Sequence, residues 1–290
     1  MKKLYFVIPT FNRKECVRNI LTDIQNQQVE DVSISTILVI DGSNDGTKEM
    51  VEKDFPAVLT VNGNGSWWYT KSMNQGFDLA YKKKADLVLT MNDDVRLKPD
   101  YVKSIFQAWK KEERDSVMGS ISVSIDKPHK ITFSGVKAIN WWRYKQVNYI
   151  TPFKSVDPAE LSGSKPSAVL PGRGILIPMK ILKELDYFDG QLVQYGSDDD
   201  FCLRARKKGY KVNVSYDAVV YSHVELTGAG NPVNGGSIWS LFKSFNNRYS
   251  SRHLKKTAKM IARHGSALLL PLTLAIVILG SLKAHLKFKG

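Results

Sequence analysis

The fold is decided by the stretch Leu87-Val88-Leu89-Thr90-Met91-Asn92-Asp93-Asp94. Its apolar first part predicts a buried strand, and two adjacent carboxylates follow directly where the strand ends. Adjacent carboxylates at such a position repel each other and are costly unless a cation neutralises them. Mg²⁺ or Mn²⁺ suits oxygen ligands and commonly bridges protein carboxylates to phosphate oxygens. The alternative interpretation is a solvated turn that simply ends the strand.

Two earlier apolar runs, at residues 4–8 and 34–40, also end in polar residues. Pro9-Thr10 follows the first run and Asp41-Gly42-Ser43 follows the second. Helices are predicted at residues 15–27 and around 48–53, so strands and helices alternate, which predicts a parallel α/β sheet. Ligands bind beyond the carboxyl ends of the strands in such sheets. The three strand ends therefore predict one shared binding site.

A second acidic cluster, Ser197-Asp198-Asp199-Asp200, precedes a predicted helix. Ser197 and Asp200 have the spacing of a capping box, which would give both residues a structural role. That role leaves Asp198 and Asp199 unexplained. A carboxylate held near a diphosphate can act as a general base, and Asp198 is the candidate chosen here.

Other candidates carry weaker signals. His223 follows a predicted strand and can ligate a metal through a neutral imidazole, although a lone histidine is more often structural. Arg173 lies between two glycines and can approach a diphosphate, with a plain turn as the alternative. The glycine-rich segment Asn62-Gly63-Asn64-Gly65-Ser66-Trp67-Trp68 allows close backbone approach to a ligand, and its tryptophans can pack on a sugar or fill core. It matches neither a Walker A nor a dinucleotide pattern.

The formal net charge of +14 is concentrated at the C-terminal end. No Asp or Glu follows Glu225, whereas ten Lys or Arg lie between Lys243 and Lys289. Residues 1–225 hold 32 basic and 28 acidic side chains, so that part is nearly balanced. A basic appendage of this kind suits an anionic membrane surface or a nucleic acid.

The basic end divides into two segments. Residues 238–264 predict an amphipathic helix lying on anionic lipid, with the alternative that its aromatic face packs on the main domain. Residues 266–282 form 17 residues without a charge, at the short limit for a membrane span and interrupted by Pro271. Nucleic acid is disfavoured as a partner, because the basic residues neighbour an uninterrupted apolar segment.

Compartment signals are few. Cys16 and Cys202 are far apart and have no metal-ligand spacing, which argues against a disulfide framework or zinc site and suits a reducing compartment. The apolar run at residues 4–8 is too short for the core of a signal peptide. We therefore expect the main domain on the cytoplasmic face of the cell membrane, attached peripherally or through an inserted C-terminal segment.

In their order along residues 3–228, these motifs resemble the bacterial family 2 glycosyltransferases, including rhamnosyl- and galactofuranosyl-transferase-like members. The resemblance is carried by Val7 through Arg13, Val39 through Thr47, Asn92-Asp93-Asp94, and Gly196 through Gly209. It implies the GT-A fold, a Rossmann-like and mostly parallel sheet flanked by helices. The domains expected are a GT-A domain at 1–228, a basic helical extension at 229–265 and a membrane-associated segment at 266–290.

The resemblance also implies roles for individual residues. Asp198 would be the catalytic base of an inverting displacement, and Asp94 and His223, which precedes Gly228, would ligate Mn²⁺ or Mg²⁺. Ser197 stands where many members have glutamate, so the choice between Asp198 and Asp199 stays open. The residues implied in donor binding are Pro9, Thr10, Asp41, Asn64, Gly65, Trp68, Asn74, Asp93 and Arg173.

The expected donor is a UDP- or dTDP-sugar, and the expected acceptor is a hydroxyl of a glycan or a lipid-linked sugar. One alternative is a sugar-phosphate nucleotidyltransferase. Such enzymes usually carry a glycine-rich basic loop after the first strand, where this chain has Pro9-Thr10-Phe11-Asn12-Arg13. The other alternative is a basic membrane-binding module without catalysis.

Overall fold

The computed structural model describes residues 1–112, 116–127, 129–224 and 237–287. Gly228 and the expected domain boundary between 228 and 229 lie outside the described residues.

The described chain alternates strands with helices through its first half. The strands are β1 Lys2–Thr10, β2 Val32–Asp41, β3 Leu59–Gly63, β4 Leu87–Thr90, β5 Val95–Leu97, β6 Ser116–Ser124, β7 Ile131–Phe133, β8 Val136–Asn140, β9 Lys145–Asn148, β10 Ser164–Pro166, β11 Ile175–Pro178 and β12 Lys211–Ser222. The helices are α1 Lys14–Gln25, α2 Thr47–Asp54, α3 Trp68–Lys82, α4 Tyr101–Lys111, α5 Met179–Glu184, α6 Ser197–Lys207, α7 Ile238–Asn246, α8 Leu254–His264 and α9 Leu270–Lys287.

One large sheet has the strand order β10-β12-β6-β11-β4-β1-β2-β3. Its pairings give six of these eight strands one direction, with β10 and β11 running the opposite way. The expected α/β fold with a mostly parallel sheet is confirmed. In the parallel register Thr10 lies beside Ile40 and Val7 lies beside Thr90. The polar segments after β1, β2 and β4 therefore meet at one edge of the sheet.

Helices cover both faces of this sheet, because the side chains of each strand alternate between two apolar clusters. In β1, Tyr5 and Val7 join the cluster that includes Phe77 of α3. Leu4, Phe6 and Ile8 join the opposite cluster, which includes Ile20 of α1. Burial on both faces explains why β1 reads as a continuous apolar run in the sequence.

The C-terminal region differs from the single helix expected at 238–264. Two helices, α7 and α8, are separated by residues 247–253. The apolar run that follows folds as one helix, α9, with Pro271 as its second residue. Proline is tolerated in the first helical turn because the backbone N–H that it lacks has no partner there.

Two basic side chains of α8 contact the rest of the protein, and the expected contact of residues 238–264 with anionic lipid stays a prediction. Met260 and Ile261 are buried, and Lys259 and Arg263 form ion pairs with Asp189 at the start of the segment before α6. Acidic charge on the main domain thus pairs with basic side chains that the sequence pattern predicted to face lipid. Helix α8 therefore packs on the main domain through Met260 and Ile261, and not through the aromatic face that the alternative named.

Helix α9 and the turn before it remain the apolar part of the tail. Residues 267–286 form a helical stretch that is long and apolar enough to cross a membrane. An 18-residue window within it has a mean hydropathy of 2.1, and only 6% of that window is buried. Its polar Thr273 donates a hydrogen bond to the carbonyl oxygen of Trp141 at 3.2 Å. The C-terminal apolar helix is therefore largely uncovered by the rest of the described chain.

Candidate active site

Asp93 and Asp94 lie in the turn between β4 and β5, at the edge where the polar strand ends meet. Both are buried, at 5% and 3% exposure. The hydroxyl of Thr10, at the end of β1, donates to Asp93 Oδ2 at 2.7 Å. Two of the predicted donor-site residues are thus in direct contact, because β1 and β4 are paired.

Arg13 supplies the charge that this acidic pair needs. Its Nη1 contacts Asp93 Oδ1 at 3.0 Å and Asp94 Oδ2 at 3.1 Å. The arrangement leaves one guanidinium opposite two carboxylates. Burial raises the pKa of Asp93 to about 6, although Arg13 and the Thr10 hydroxyl oppose the rise and the charge of Asp94 adds to it.

The pair retains an oxygen suited to a cation. Asp94 Oδ1 is buried and has no hydrogen-bond partner among the described residues. An unpartnered buried carboxylate oxygen beside a second carboxylate is the donor chemistry that Mg²⁺ or Mn²⁺ binds. The residues present therefore fit a divalent cation.

The structure does not bring the imidazole of His223 to that oxygen. The backbone N–H of His223 donates to the carbonyl of Asp94 at 3.1 Å, while Nδ1 lies 3.7 Å from Asp126 Oδ1. Across the described ranges, no group of three or more His, Cys, Asp or Glu side chains is arranged to hold a metal. A ligand role for His223 stays a prediction.

Asp41, at the end of β2, organises the glycine-rich loop. Its Oδ1 accepts from the N–H of Gly65 at 2.8 Å, and its Oδ2 accepts from the N–H of Trp67 at 2.8 Å and of Trp68 at 2.9 Å. These bonds fix the loop at the start of α3, with φ of Trp68 at +59°. The carboxylate thereby places Gly65 and Trp68 at the cavity wall.

One cavity of about 570 Å³ joins these strand ends to the start of α6. Most of the predicted donor and catalytic residues line it: Pro9, Thr10, Asp41, Gly65, Trp68, Asp93, Asp94, Arg173 and Asp198. The size is within the usual range for a small-molecule site.

Two predicted donor residues lie outside this lining. Asn74 bonds the backbone of Phe188 through both ends of its amide, at 2.8 and 3.1 Å. Asn64 Oδ1 accepts from the N–H and hydroxyl of Ser66, at 3.1 and 2.6 Å, which closes a local turn. Their amides hold the backbone, and a donor contact from either stays a prediction.

Asp198 lies in the first turn of α6 and is held from two sides. Its Oδ2 accepts from the N–H of Gly172 at 2.7 Å and its Oδ1 from the N–H of Asp199 at 3.0 Å. Burial raises the pKa of Asp198, and these two donors oppose the rise. Burial and the charge of Asp198 raise the pKa of Asp199, whose side-chain partner is Gln146 at 3.4 Å. The stronger hydrogen bonding favours ionisation at Asp198.

The expected capping box at Ser197 and Asp200 is wrong. Gly196, with φ of +87°, is the N-cap of α6, and neither Ser197 nor Asp200 caps the helix through its side chain. Ser197 instead accepts from the Thr70 hydroxyl at 2.9 Å. Asp200 is fully buried and accepts from Arg204, Arg263 and His264 at 2.7 to 2.8 Å. These contacts hold the pKa of Asp200 well below its usual range and tie α6 to α8.

Arg173 interacts electrostatically with both acidic clusters. Its Nη1 donates to the Ser222 hydroxyl at 3.1 Å, and its buried Nε has no partner in the described part of the chain. Burial lowers the pKa of its guanidinium, while the charges of Asp94 and Asp198 raise it. The preceding Gly172 must lack a side chain, because a Cβ there would lie 1.7 Å from the Tyr69 hydroxyl oxygen.

Several lining residues were absent from the sequence-based set, notably Arg13, Tyr69, Ser72, Gln194 and Tyr195. Arg13 belongs to the polar turn that follows β1. The signal available in the sequence was that this turn lies beside the acidic end of a neighbouring strand. The others lie on α3 or in the turn before α6 and carried no local pattern that indicates a site.

Comparisons with known proteins agree with this architecture. The glycosyl transferase family 2 model matches residues 5–158, more than half of the chain. The UDP-N-acetylglucosamine–dolichyl-phosphate N-acetylglucosaminyltransferase of Methanococcus voltae is 26% identical over 134 residues, 41% of this chain. The match spans about half of that relative, 52% of its length.

Two solved structures share the fold. One is S. aureus TarS, 16% identical with a TM-score of 0.55, covering 99% of this chain and 72% of that one. The other is the mannosyltransferase PcManGT from Pyrobaculum calidifontis in complex with GDP-Man and Mn²⁺, 16% identical with a TM-score of 0.59, covering 98% and 73%. Together with the family match, the GT-A fold and the clustered strand-end residues lead to one conclusion: the chain belongs to glycosyl transferase family 2.

Proposed function

We propose that this glycosyltransferase inverts the anomeric centre as it moves a sugar from a UDP- or dTDP-sugar to a hydroxyl of a glycan or lipid-linked acceptor. The observation that carries the proposal is the single cavity lined by Asp93, Asp94, Arg173 and Asp198. It combines groups suited to a diphosphate with a separate carboxylate suited to proton transfer. An inverting displacement needs both in one space.

Asp198 is proposed as the general base. Its carboxylate would accept the proton of the acceptor hydroxyl while that oxygen attacks the anomeric carbon and the bond to the diphosphate breaks. General-base assistance is typically worth about 10²–10⁴-fold. Asp198 lines the cavity, and Gly172 holds its Oδ2 at 2.7 Å, so the carboxylate is both oriented and accessible.

The leaving diphosphate would be held by two arginines that line the same cavity. Arg13 and Arg173 carry positive charge toward developing phosphate charge. Asp94, with Asp93, is proposed to hold Mn²⁺ or Mg²⁺, which when bound would neutralise charge on the diphosphate. The relative solved with GDP-Man and Mn²⁺ supports testing that cation first.

A donor panel tests the proposal. Purified protein is incubated with UDP-, dTDP- and GDP-sugars and with Mn²⁺, Mg²⁺ or EDTA, and release of nucleoside diphosphate is measured. We expect turnover with a UDP- or dTDP-sugar that requires the cation, and inversion in the product by NMR. Asp198→Asn should lose about 10²–10⁴-fold in kcat with little change in donor affinity. Asp199→Asn is the matched control and should retain more activity.

The outcome against the proposal is equally specific. Folded protein that neither binds nor turns over any donor would sink it. Retention of the anomeric configuration would overturn the inverting mechanism. Pyrophosphate formation from a nucleoside triphosphate and a sugar phosphate, without glycosyl transfer, would favour the nucleotidyltransferase alternative.

Together with a lipid-linked acceptor, we propose that α9 attaches the protein to a membrane. The helix is apolar over 267–286 and largely uncovered, and Trp239 on α7 is 72% exposed. An exposed aromatic ring beside an apolar helix suits a bilayer interface. Flotation with vesicles containing anionic lipid should carry the full chain and leave a variant ending at residue 265 in the soluble fraction. Equal flotation of both would contradict attachment through α9.

A further inference from the structure

Lys256, on α8, reaches the wall of the catalytic cavity from the C-terminal extension. A Cβ placed on Gly196 would lie 3.6 Å from Lys256 Cδ, and the ammonium lies 5.9 Å from the centre of the Tyr195 ring. Tyr195 and Gly196 line the cavity beside Asp198. The Lys256 Nζ also donates to the carbonyl of Ser251 at 2.6 Å, which fixes the side chain in this direction.

The charge of the ammonium acts on the acidic pair at the start of α6 without a direct ion pair. Lys256 interacts electrostatically with both Asp198 and Asp199. Its charge lowers the pKa of each carboxyl, against the rise that burial causes. The other charged or titratable groups that interact with the pair are Arg173, Tyr69, Cys202, Tyr144 and Asp200.

Neighbouring cations have other partners. Arg173 shares its charge with Asp94, and Arg263 pairs with Asp189 and Asp200. Lys259 pairs with Asp189. Lys256 is thus the α8 cation directed at the Asp198-Asp199 pair.

We propose that Lys256 is a positioning residue for the base: its charge keeps Asp198 in the carboxylate form that accepts the acceptor proton. The inference rests on the proposed function, because it assigns Lys256 a task only if Asp198 is the base. It makes the C-terminal extension part of the catalytic machinery as well as a structural addition.

The test is the pH dependence of kcat/KM for hydrolysis of the UDP- or dTDP-sugar with the fastest turnover, with water as the acceptor. Lys256→Met and Lys256→Gln both remove the charge, and glutamine keeps a hydrogen-bond donor for Ser251. We expect the acidic limb to move to higher pH by about one unit, which is about a tenfold loss on the acidic side that recovers at alkaline pH. Lys256→Arg should restore the wild-type profile.

Controls separate this role from a structural one. Lys255→Met removes an exposed neighbouring charge on the same helix and should leave the profile unchanged. Donor affinity, measured by titration with UDP, should be unchanged in both neutral variants. A wild-type profile in either folded neutral variant, or an equal loss at every pH, would overturn the inference.

The inference and the proposed function fail differently. If Asp198→Asn is inactive while the Lys256 variants keep a wild-type profile, Lys256 has no such role and the proposed base stands. If Asp198→Asn stays fully active, the proposed base itself is wrong, and with it the role of Lys256.

Discussion

Replacing Arg13 with methionine removes the positive charge that contacts both carboxylates of the Asp93-Asp94 pair, at 3.0 and 3.1 Å. Methionine keeps much of the apolar stem, so the change reports mainly on charge. Breaking a fully buried ion pair costs about 3–5 kcal/mol. The Arg13 side chain is 35% exposed, so water takes over part of its role and we expect a loss of about 2 kcal/mol.

The assay is urea unfolding at neutral pH, in EDTA and in excess Mn²⁺. A cation bound by the two carboxylates would replace the missing charge, so the loss should be large in EDTA and small in Mn²⁺. Mn²⁺ at about 100 times the dissociation constant stabilises a folded protein by about 2.7 kcal/mol. The loss shrinks because the variant, which lacks the competing guanidinium, should bind Mn²⁺ more tightly than the wild type does. Arg18→Met is the matched control, since its pair with Asp54 is 37% and 32% exposed and is worth about 1 kcal/mol or less.

Two results would refute this reasoning. If Arg13→Met unfolds at the wild-type urea concentration in EDTA, the guanidinium does not compensate the pair. If Mn²⁺ raises the urea midpoint of neither the variant nor the wild type above its value in EDTA, the carboxylates do not hold the cation.

Three further perturbations follow from the same contacts. Asp93→Asn should stabilise the protein in EDTA by about 1 kcal/mol at about pH 7.5 and lose this gain near pH 5. The reason is that the folded pKa of Asp93, about 6, lies above the ordinary value of 3.8, so ionisation of this carboxyl opposes folding. Thermal unfolding at both pH values checks the prediction, and an equal gain at both would contradict it. Asp200→Ala should cost about 3 kcal/mol in urea unfolding by leaving Arg204 and the buried His264 without their carboxylate partner. A loss under 1 kcal/mol would show that water replaces the contact. Tyr249→Ala removes the ring stacked on Trp68, with 3.9 Å between the ring centres. It should weaken UDP binding several-fold and cost about 1 kcal/mol of stability. An unchanged affinity for UDP would show that the stacked ring does not order the glycine-rich loop before α3.

The sheet was predictable because its decisive signals are local. Residues 4–8, 34–40 and 87–91 are apolar runs buried on both faces, and each ends in a polar segment whose position follows from parallel pairing. Asp93 and Asp94 therefore entered the site without knowledge of any contact. Arg13 did not, because its contact with Asp93 joins residues 80 positions apart and depends on the length of its own side chain.

The tail shows where pattern alone is insufficient. A helix with basic and apolar faces suits an anionic lipid and an acidic protein surface equally well. The acids that pair with α8, Asp189 and Asp200, lie far from it in sequence and carry no periodicity that links them to it. The break at residues 247–253 was missed for a similar reason, because aromatic and basic residues continue through it at helical spacing.

The buried Asp200, with its contacts to Arg263 and His264, also bears on how a soluble form of this enzyme is designed. Ending the chain before α7 would strip a buried carboxylate of two partners and expose the surface covered by Met260 and Ile261. Ending it after Gly265 keeps those partners and removes the uncovered apolar helix. For expression and crystallisation, the useful boundary is the one that separates α8 from α9.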